Sequence, residues 1–350
     1  MKNSKPQLTI AVSGLNAIDS PGPGVAVIRA LREAKAFDCR IIGLAYESLE
    51  PGIYMHDLIE KTYHIPYPSA GTDALMKRMA YINEKENIDV VIPNFDAELY
   101  SFIKLKPKFE QLGIYSFLPT MDQFESRQKI NLPEFGKKYG INVPQSKAVY
   151  TPGEINKLEQ EYGWPLVVKG KYYDAILAYN PEQAKSAYQK ISAKWGLPII
   201  VQEFVHGTEY NVTGLGDGNG NTIAAVPMRK QYITDKGKAW GGITITDPKA
   251  LALTTHFLQL TQWRGAFELE LMKDKEGRYF LLEINPRIPA WIYLAVGVGQ
   301  NIPEALTKLA LGIPTEAFTT YEAGKMFIRY AWDMIVDLKE FEQISTNGEL

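Results

Sequence analysis

Two acidic residues and an asparagine late in the chain carry the pattern richest in chemistry. Glu270 precedes Glu283 by thirteen residues, and Asn285 follows Glu283 at i+2. Side chains at i and i+2 of a strand point to one face, so Glu283 and Asn285 project together from the strand expected over 279–284. The turn Asp274-Lys275-Glu276-Gly277 lies between two apolar runs and reads as a hairpin that folds Glu270 back toward them. Leu281, Leu282 and Ile284 make the second strand mostly buried. Two buried carboxylates repel each other and lose hydration. A hard divalent ion with oxygen ligands, magnesium, offsets that cost. Arg287, just after the stiffening Pro286, sets a permanent cation beside the trio. Carboxylates, metal and guanidinium together suit a phosphorylated ligand. The bland alternative is an edge hairpin with solvated acids.

Lysines supply the second part of the pattern. Lys169 ends the apolar strand Val167-Val168-Lys169, where a lysine must reach water or meet an anion. Lys129 stands forty residues earlier at the start of an expected helix. Two such lysines can neutralise phosphate oxygens as point charges; taken singly, each reads as an ordinary surface lysine. Gln202-Glu203-Phe204-Val205 ends the next strand. Its backbone can read an adenine edge, with Phe204 and Val205 as apolar walls, or it is a plain strand end. Arg229, Lys230 and Arg264 are candidate cations for substrate carboxylates, Arg better than Lys, against the reading of solvated strand ends. Trp240, Trp263 and Trp291 line an acceptor pocket or belong to the core.

Three regions position these residues. Strands at Leu8–Val12, Arg40–Ala45 and Asp89–Pro93 alternate with helices around Val25–Leu31 and Thr72–Glu86. Continuous apolar strands separated by helices indicate a doubly wound parallel sheet, placed at 1–120. A smaller α+β unit spans 121–205: a helix over 130–139 closed by Gly140, a strand at 165–169, a helix over 182–193 opened by Pro181, and a strand at 199–204. Residues 206–350 carry antiparallel signals, with strands at 209–215 and 222–227 flanking Gly216–Gly220 and then the acidic hairpin. A helix is expected near 303–310, and the polar tail after Asp337 is expected to pack loosely.

Composition excludes several classes. The chain has 350 residues, 45% hydrophobic and 22% charged, with a net charge of −2. That is ordinary for a globular protein and gives no basic excess for a nucleic-acid backbone. A single cysteine, Cys39, rules out an internal disulfide or a thiolate metal cluster. The four histidines form no spaced metal motif. No apolar leader and no spanning run are visible, so a cytoplasmic location without membrane contact is expected. Gly22-Pro23-Gly24 before a helix either holds an anion or is a bare strand-to-helix turn. Val27 stands where the dinucleotide fingerprint needs a third small residue, which speaks against nicotinamide chemistry.

The ordered set Lys129, Pro165-x-Val167-x-Lys169, Gln202-Glu203-Phe204-Val205, Gly207-x-Glu209, Glu270 and Glu283-x-Asn285-Pro286-Arg287 resembles the ATP-grasp superfamily. It is most similar to the carbamoyl-phosphate-synthetase-like and biotin-carboxylase-like members, over about residues 8–312. Ile88–Pro93 and Glu98 are similar to the family's preceding domain. The resemblance implies a pre-ATP-grasp α/β domain, a lid subdomain, and a C-terminal subdomain with the metal site. It implies that Lys129 and Lys169 contact phosphates, that Gln202, Glu203, Phe204 and Val205 face adenine, and that Glu209 holds the ribose. Glu270, Glu283 and Asn285 would ligate Mg2+, with Mn2+ as a substitute, and Arg287 and Lys169 would serve the phosphoryl transfer. Gln128 replaces the family's usual Asp, and the phosphate-covering loop carries bulky Tyr172 and Tyr173. The implied activity is an ATP-dependent carboxylate–amine or carboxylate–thiol ligase acting through an acyl phosphate. Its partners would be a small carboxylate and an amine or other nucleophile, with a homodimer as one assembly. A regulatory nucleotide-binding protein is the alternative.

Overall fold

The computed structural model describes residues 5–171, 174–235 and 237–350. Tyr172, Tyr173, Lys236 and the first four residues lie outside the described residues, and with them the covering-loop reading. The chain forms two compact units. One comprises Met1–Met121, Val212–Glu268 and Asn285–Leu350; the other comprises Asp122–Asn211 and Leu269–Ile284.

The first unit opens with β1 (Gln7–Ser13), β2 (Asp38–Ala45), β3 (Lys61–His64) and β4 (Val90–Ile92), a sheet of order β3-β2-β1-β4. Every pairing is parallel, with Ile10 opposite both Ile41 and Val90. Ile10, Ala11 and Val12 are fully buried, which is why the strand reads as an unbroken apolar run rather than an alternating one. Helix Pro23–Arg32 starts with proline in its first turn and buries Val27, Ile28 and Leu31. Helix Thr72–Glu86 ends at Asn87 in the left-handed region, φ 52°. The same core takes Ile223, Val226, Ile288, Ile302 and Leu306 from the later segments, so distant parts of the chain share one apolar interior.

In the second unit, β5 (Ser146–Val149), β6 (Leu166–Lys169), β7 (Ala175–Ala178) and β8 (Ile199–Glu203) form an antiparallel sheet of order β5-β8-β6-β7. Lys169 lies opposite Ile200, and Val167 opposite Gln202. Helices Ile155–Tyr162 and Pro181–Trp195 cover a core of Val149, Leu166, Val168, Ile191 and Val201. Helix Leu132–Tyr139 stops at Gly140 with φ 63°, the left-handed cap that glycine takes without Cβ strain.

A third sheet holds β9 (Thr208–Asp217), β10 (Thr222–Ile233), β11 (Ala239–Thr244), β12 (Arg264–Lys273), β13 (Tyr279–Asn285) and β14 (Met326–Ile328), in the order β13-β12-β9-β10-β11-β14. β10 runs past Pro227, where the sequence reading stops. Proline gives up only its donor there, and its carbonyl still accepts Ile245 N at 3.2 Å. The tail after Asp337 is also corrected. Leu338–Asn347 is a helix, Ile344 is fully buried in the first unit's core, and Thr62 and Leu350 exchange two backbone bonds of 2.9 Å. One apolar residue and backbone pairing hold a segment whose composition is polar. Among the described residues no helix is long and apolar enough to cross a membrane.

Two carboxylates are buried beyond the carboxyl ends of the parallel strands. Glu98 accepts from Ser13 Oγ, the Tyr46 hydroxyl, Asn94 N (2.6 Å) and Phe95 N (2.9 Å). Glu50 accepts at Oε1 from Tyr46 N (2.7 Å) and Glu47 N (3.2 Å), while its buried Oε2 has no hydrogen-bond partner among the described residues. Burial pushes the Glu50 carboxyl up to about 7, against the pull of those two amides. The folded state therefore keeps a proton that the unfolded chain releases near ~4.3, and this group costs stability increasingly as pH rises through that window. Glu50→Gln is expected to flatten the decline of unfolding free energy between about pH 4 and 7. Urea titrations across that range check it; an unchanged slope contradicts the assignment.

Candidate active site

The second unit gathers five of the expected site residues. Lys169 ends β6, and its ammonium is surrounded electrostatically by Glu283, Lys129, Glu270 and Glu209. Burial is the largest influence and lowers its pKa, and Lys129 lowers it further; the three carboxylates act in the opposite direction. Lys129 forms an ion pair with Glu283 at 3.0 Å, both largely shielded from solvent. Lys129 sits in the turn after helix Met121–Ser126 rather than at a helix start. Glu283 comes from β13 and Glu270 from β12, and the tight turn closed by Asp274 and Arg278 (3.0 Å) brings both strands to Lys169.

The strand end expected to read adenine behaves differently along its length. Gln202 is buried in the middle of its sheet. The Glu203 amide donates to Gln145 O (2.9 Å), and its side chain accepts Gln145 N at 2.8 Å. Both groups are thus spent on holding the strand end to the preceding segment. Glu203, Phe204, Val205 and His206 line a cleft of about 250 Å³ with Asp274 and Phe280. The Phe204 ring meets His206 edge-on at 4.7 Å, so the cleft has an aromatic wall.

In the first unit, Asn285 donates from Nδ2 to Glu268 Oε2 at 3.1 Å, and Trp291 Nε1 donates to Glu268 Oε1 at 2.6 Å. Glu268 is buried and was missed from sequence. Its signal was present: it stands two residues before Glu270 on β12, as Glu283 stands two before Asn285 on β13. The bond to Glu268 fixes which end of the Asn285 amide is the donor. Arg287 Nε pairs with Asp96 Oδ2 at 2.7 Å, a partner the sequence did not indicate. Trp291 thus belongs to this polar group, and Trp263 is core against Phe257.

The three candidate substrate cations separate. Arg229 is exposed and its guanidinium donates to the Gln231 side-chain oxygen at 3.0 and 3.1 Å. Lys230 is half-buried on β10 opposite Gly242. Arg264 turns inward instead: it donates to the carbonyls of Leu118 and Ser116 and lies 3.9 Å over the Phe117 ring. Burial lowers its pKa. It clamps a loop, because a strand-end arginine can satisfy its fork on backbone carbonyls.

A family model described as "ATP-grasp in the biosynthetic pathway with Ter operon" matches residues 197–330. The N-terminal section of the carbamoyl phosphate synthase large chain of Methanopyrus kandleri is 23% identical over 290 residues, 74% of this chain and 50% of that protein. The chain thus spans about half the length of the curated relatives it matches. The biotin carboxylase domain of 2-oxoglutarate carboxylase from Hydrogenobacter thermophilus, solved with MgADP and bicarbonate, superposes with a TM-score of 0.69 at 16% identity, covering 91% of this chain and 72% of that one. An L-amino acid ligase from Bacillus licheniformis gives 0.63 at 17%, covering 89% and 75%. The chain has the ATP-grasp fold. Its resemblance to the carbamoyl-phosphate-synthetase-like and biotin-carboxylase-like ATP-grasp proteins stands.

A half-buried lysine whose pKa desolvation lowers destabilises the fold at neutral pH. Lys169→Met is expected to raise the thermal midpoint at pH 7. The gain should shrink as pH rises toward ~10.4, the ordinary lysine value, because the wild-type amine then loses its charge in both states. Calorimetry at pH 7 and 9.5 checks this; a lower midpoint at pH 7 contradicts it.

Proposed function

We propose that this protein is an ATP-dependent ligase that activates a small carboxylate as an acyl phosphate and transfers it to an amine. The convergence of Lys129, Glu209, Glu270 and Glu283 on Lys169 carries the reading. Two cations beside three carboxylates fit a metal-bound polyphosphate better than either ligand alone. The donors are all oxygen, which fits magnesium, with manganese as a substitute. Glu270, Glu283 and Asn285 would hold the ion, which would neutralise phosphate charge and orient the triphosphate. Lys129 and Lys169 would hold phosphate oxygens, Glu209 the ribose, and the aromatic cleft at 203–206 the base. The MgADP bound in the structurally similar Hydrogenobacter thermophilus biotin carboxylase domain supports a magnesium nucleotide as the ligand class.

In this reading a carboxylate oxygen attacks the γ-phosphorus as the bond to the β-phosphate oxygen breaks. The amine nitrogen then attacks the acyl carbon, inorganic phosphate leaves, and the nitrogen loses a proton. The protein contributes position and charge rather than a covalent nucleophile. Arg287, held by Asp96, would serve the transferred phosphoryl group or the acid. Arg229 and Lys230 remain candidates for the acid's carboxylate. The strand order β3-β2-β1-β4, with β1 flanked on both sides, supports the doubly wound reading of the N-terminal part. We assign 1–120 to the pre-ATP-grasp domain, 121–205 to the lid and 206–350 to the C-terminal subdomain. A cytoplasmic location fits ATP as substrate.

Incubating the chain with MgATP and mixtures of amino acids and small acids, with phosphate release and product mass as readouts, tests the activity. Release that requires both an acid and an amine is the expected result. Nucleotide binding without release in every mixture would establish the regulatory alternative. Glu283→Ala is expected to lower turnover by ~10²–10³-fold, on the scale of losing an electrostatic stabiliser, with an unchanged circular dichroism spectrum. Turnover near wild type in that variant removes Glu283 from the metal site.

A further inference from the structure

The strand order β3-β2-β1-β4 reverses at β1: the chain leaves β1 for β2 on one side and returns to β4 on the other. Ligands of open parallel sheets bind outside the carboxyl ends of the strands, at such a reversal. Here those ends hold acceptors that lack donors. Glu98, on helix Asp96–Gln111, is satisfied: its four donors tie Ser13, Asn94 and Phe95 beside it and hold the Tyr46 hydroxyl. Its neighbours are not. Asn94, 0% exposed, spends its amide nitrogen on the carbonyls of Ser13 (2.9 Å) and Ile92 (3.1 Å). Those two bonds fix the amide and turn Oδ1 away from both strands, where it has no partner among the described residues. Oε2 of Glu50, a residue 5% exposed, is in the same position. A third such oxygen is Oδ1 of the half-buried Asn16, in the loop after β1.

Buried acceptors without donors call for a ligand rich in N–H groups. An anion does not fit, because Glu98 and Glu47, the side chains whose charge acts on Glu50, are both acids. The glycine-rich loop is no anion cradle either: Gly22 N donates to Asn16 O at 2.7 Å, Gly24 N donates to Gly14 O at 2.9 Å, and Pro23 has no N–H. The surroundings suit an organic cation better than a metal ion. Tyr46 stacks on Tyr67 with centroids 5.6 Å apart and tilts against Phe95 at 5.9 Å. Ile18 and Leu49, in the loops after β1 and β2, stand 87 and 78% exposed. Aromatic faces attract ammonium groups, and exposed apolar loop residues suit a hydrocarbon body. We propose that the carboxyl ends of β1, β2 and β4 bind a primary amine with an apolar or aromatic body, its ammonium on Glu50 Oε2 and Asn94 Oδ1. A cation there relieves the cost of burying a second carboxylate near Glu98. An ammonium carries three donors, so Asn16 Oδ1 takes the third. The inference deepens the ligase reading and rests on it in one respect: the bound amine would be the acceptor.

Isothermal titration calorimetry of the full chain at about pH 8, without nucleotide, tests the site with phenethylamine, which is charged at that pH as a lysine is. Saturable binding is expected, with none for 3-phenylpropionate, which has a similar body and the opposite charge. Glu50→Gln should weaken phenethylamine binding by ~10–100-fold, the scale of a hydrogen bond to a charged group, with an unchanged circular dichroism spectrum. Leu49→Lys, at an exposed position where the fold should survive, should weaken it ~3-fold or more by repelling the cation. No saturation by phenethylamine up to ~10 mM, equal binding of the acid, or full affinity in either variant overturns the proposal. Phenethylamine that binds but prompts no phosphate release from MgATP with any acid leaves the amine site standing and fails the ligase reading instead.

Discussion

Lys169 is the constraint around which the second unit is built. An ammonium at the end of an apolar strand is unfavourable unless opposite charge is brought to it. Here that charge comes from three places in the chain: Glu209, Glu270 and Glu283. Lys129 joins through its own pair with Glu283. The arrangement stays balanced only while the β12–β13 hairpin, the β6 strand end and the turn at Lys129 keep their places. Burial still outweighs the three carboxylates and lowers the Lys169 pKa, so the compensation is incomplete.

The first unit uses a complementary device. Its functional candidates are tied down by partners that are not themselves candidates. Asn285 is held by Glu268, Glu268 by Trp291, and Arg287 by Asp96. Supporting bonds of this kind fix rotamers, and so direction, at little cost in exposed charge. At the carboxyl ends of the parallel strands, Glu98 is likewise enclosed by four donors. Glu50, with one oxygen unpartnered, is the weaker member.

Much of this was legible in the sequence because it rests on local rules. Continuous apolar runs marked β1, β2 and β4; proline and glycine marked the ends of Pro23–Arg32, Leu132–Tyr139 and Pro181–Trp195; the turn at Asp274–Gly277 marked the acidic hairpin. What was hidden depends on distant partners. Arg264 looked like a free strand-end cation, yet carbonyls nearly 150 residues away claim its fork. The tail after Asp337 looked loose, yet Ile344 and the backbone of β3 hold it. The β10 strand outran Pro227 because a missing donor does not end a ladder whose acceptor is still used. Asp96 was invisible as a partner because pairing across the fold leaves no periodic mark, whereas Glu268 carried the two-residue spacing from Glu270 as its signal.

The most direct measurement is a crystal structure of the chain with Mg2+ and a non-hydrolysable ATP analogue. Phosphate oxygens are expected about 2.7–2.9 Å from the ammonium groups of Lys129 and Lys169, the ordinary charge-assisted distance, with the cation on the carboxylates of Glu270 and Glu283. A triphosphate bound away from both lysines, with Lys129 still paired to Glu283 and no ion on those acids, would contradict it.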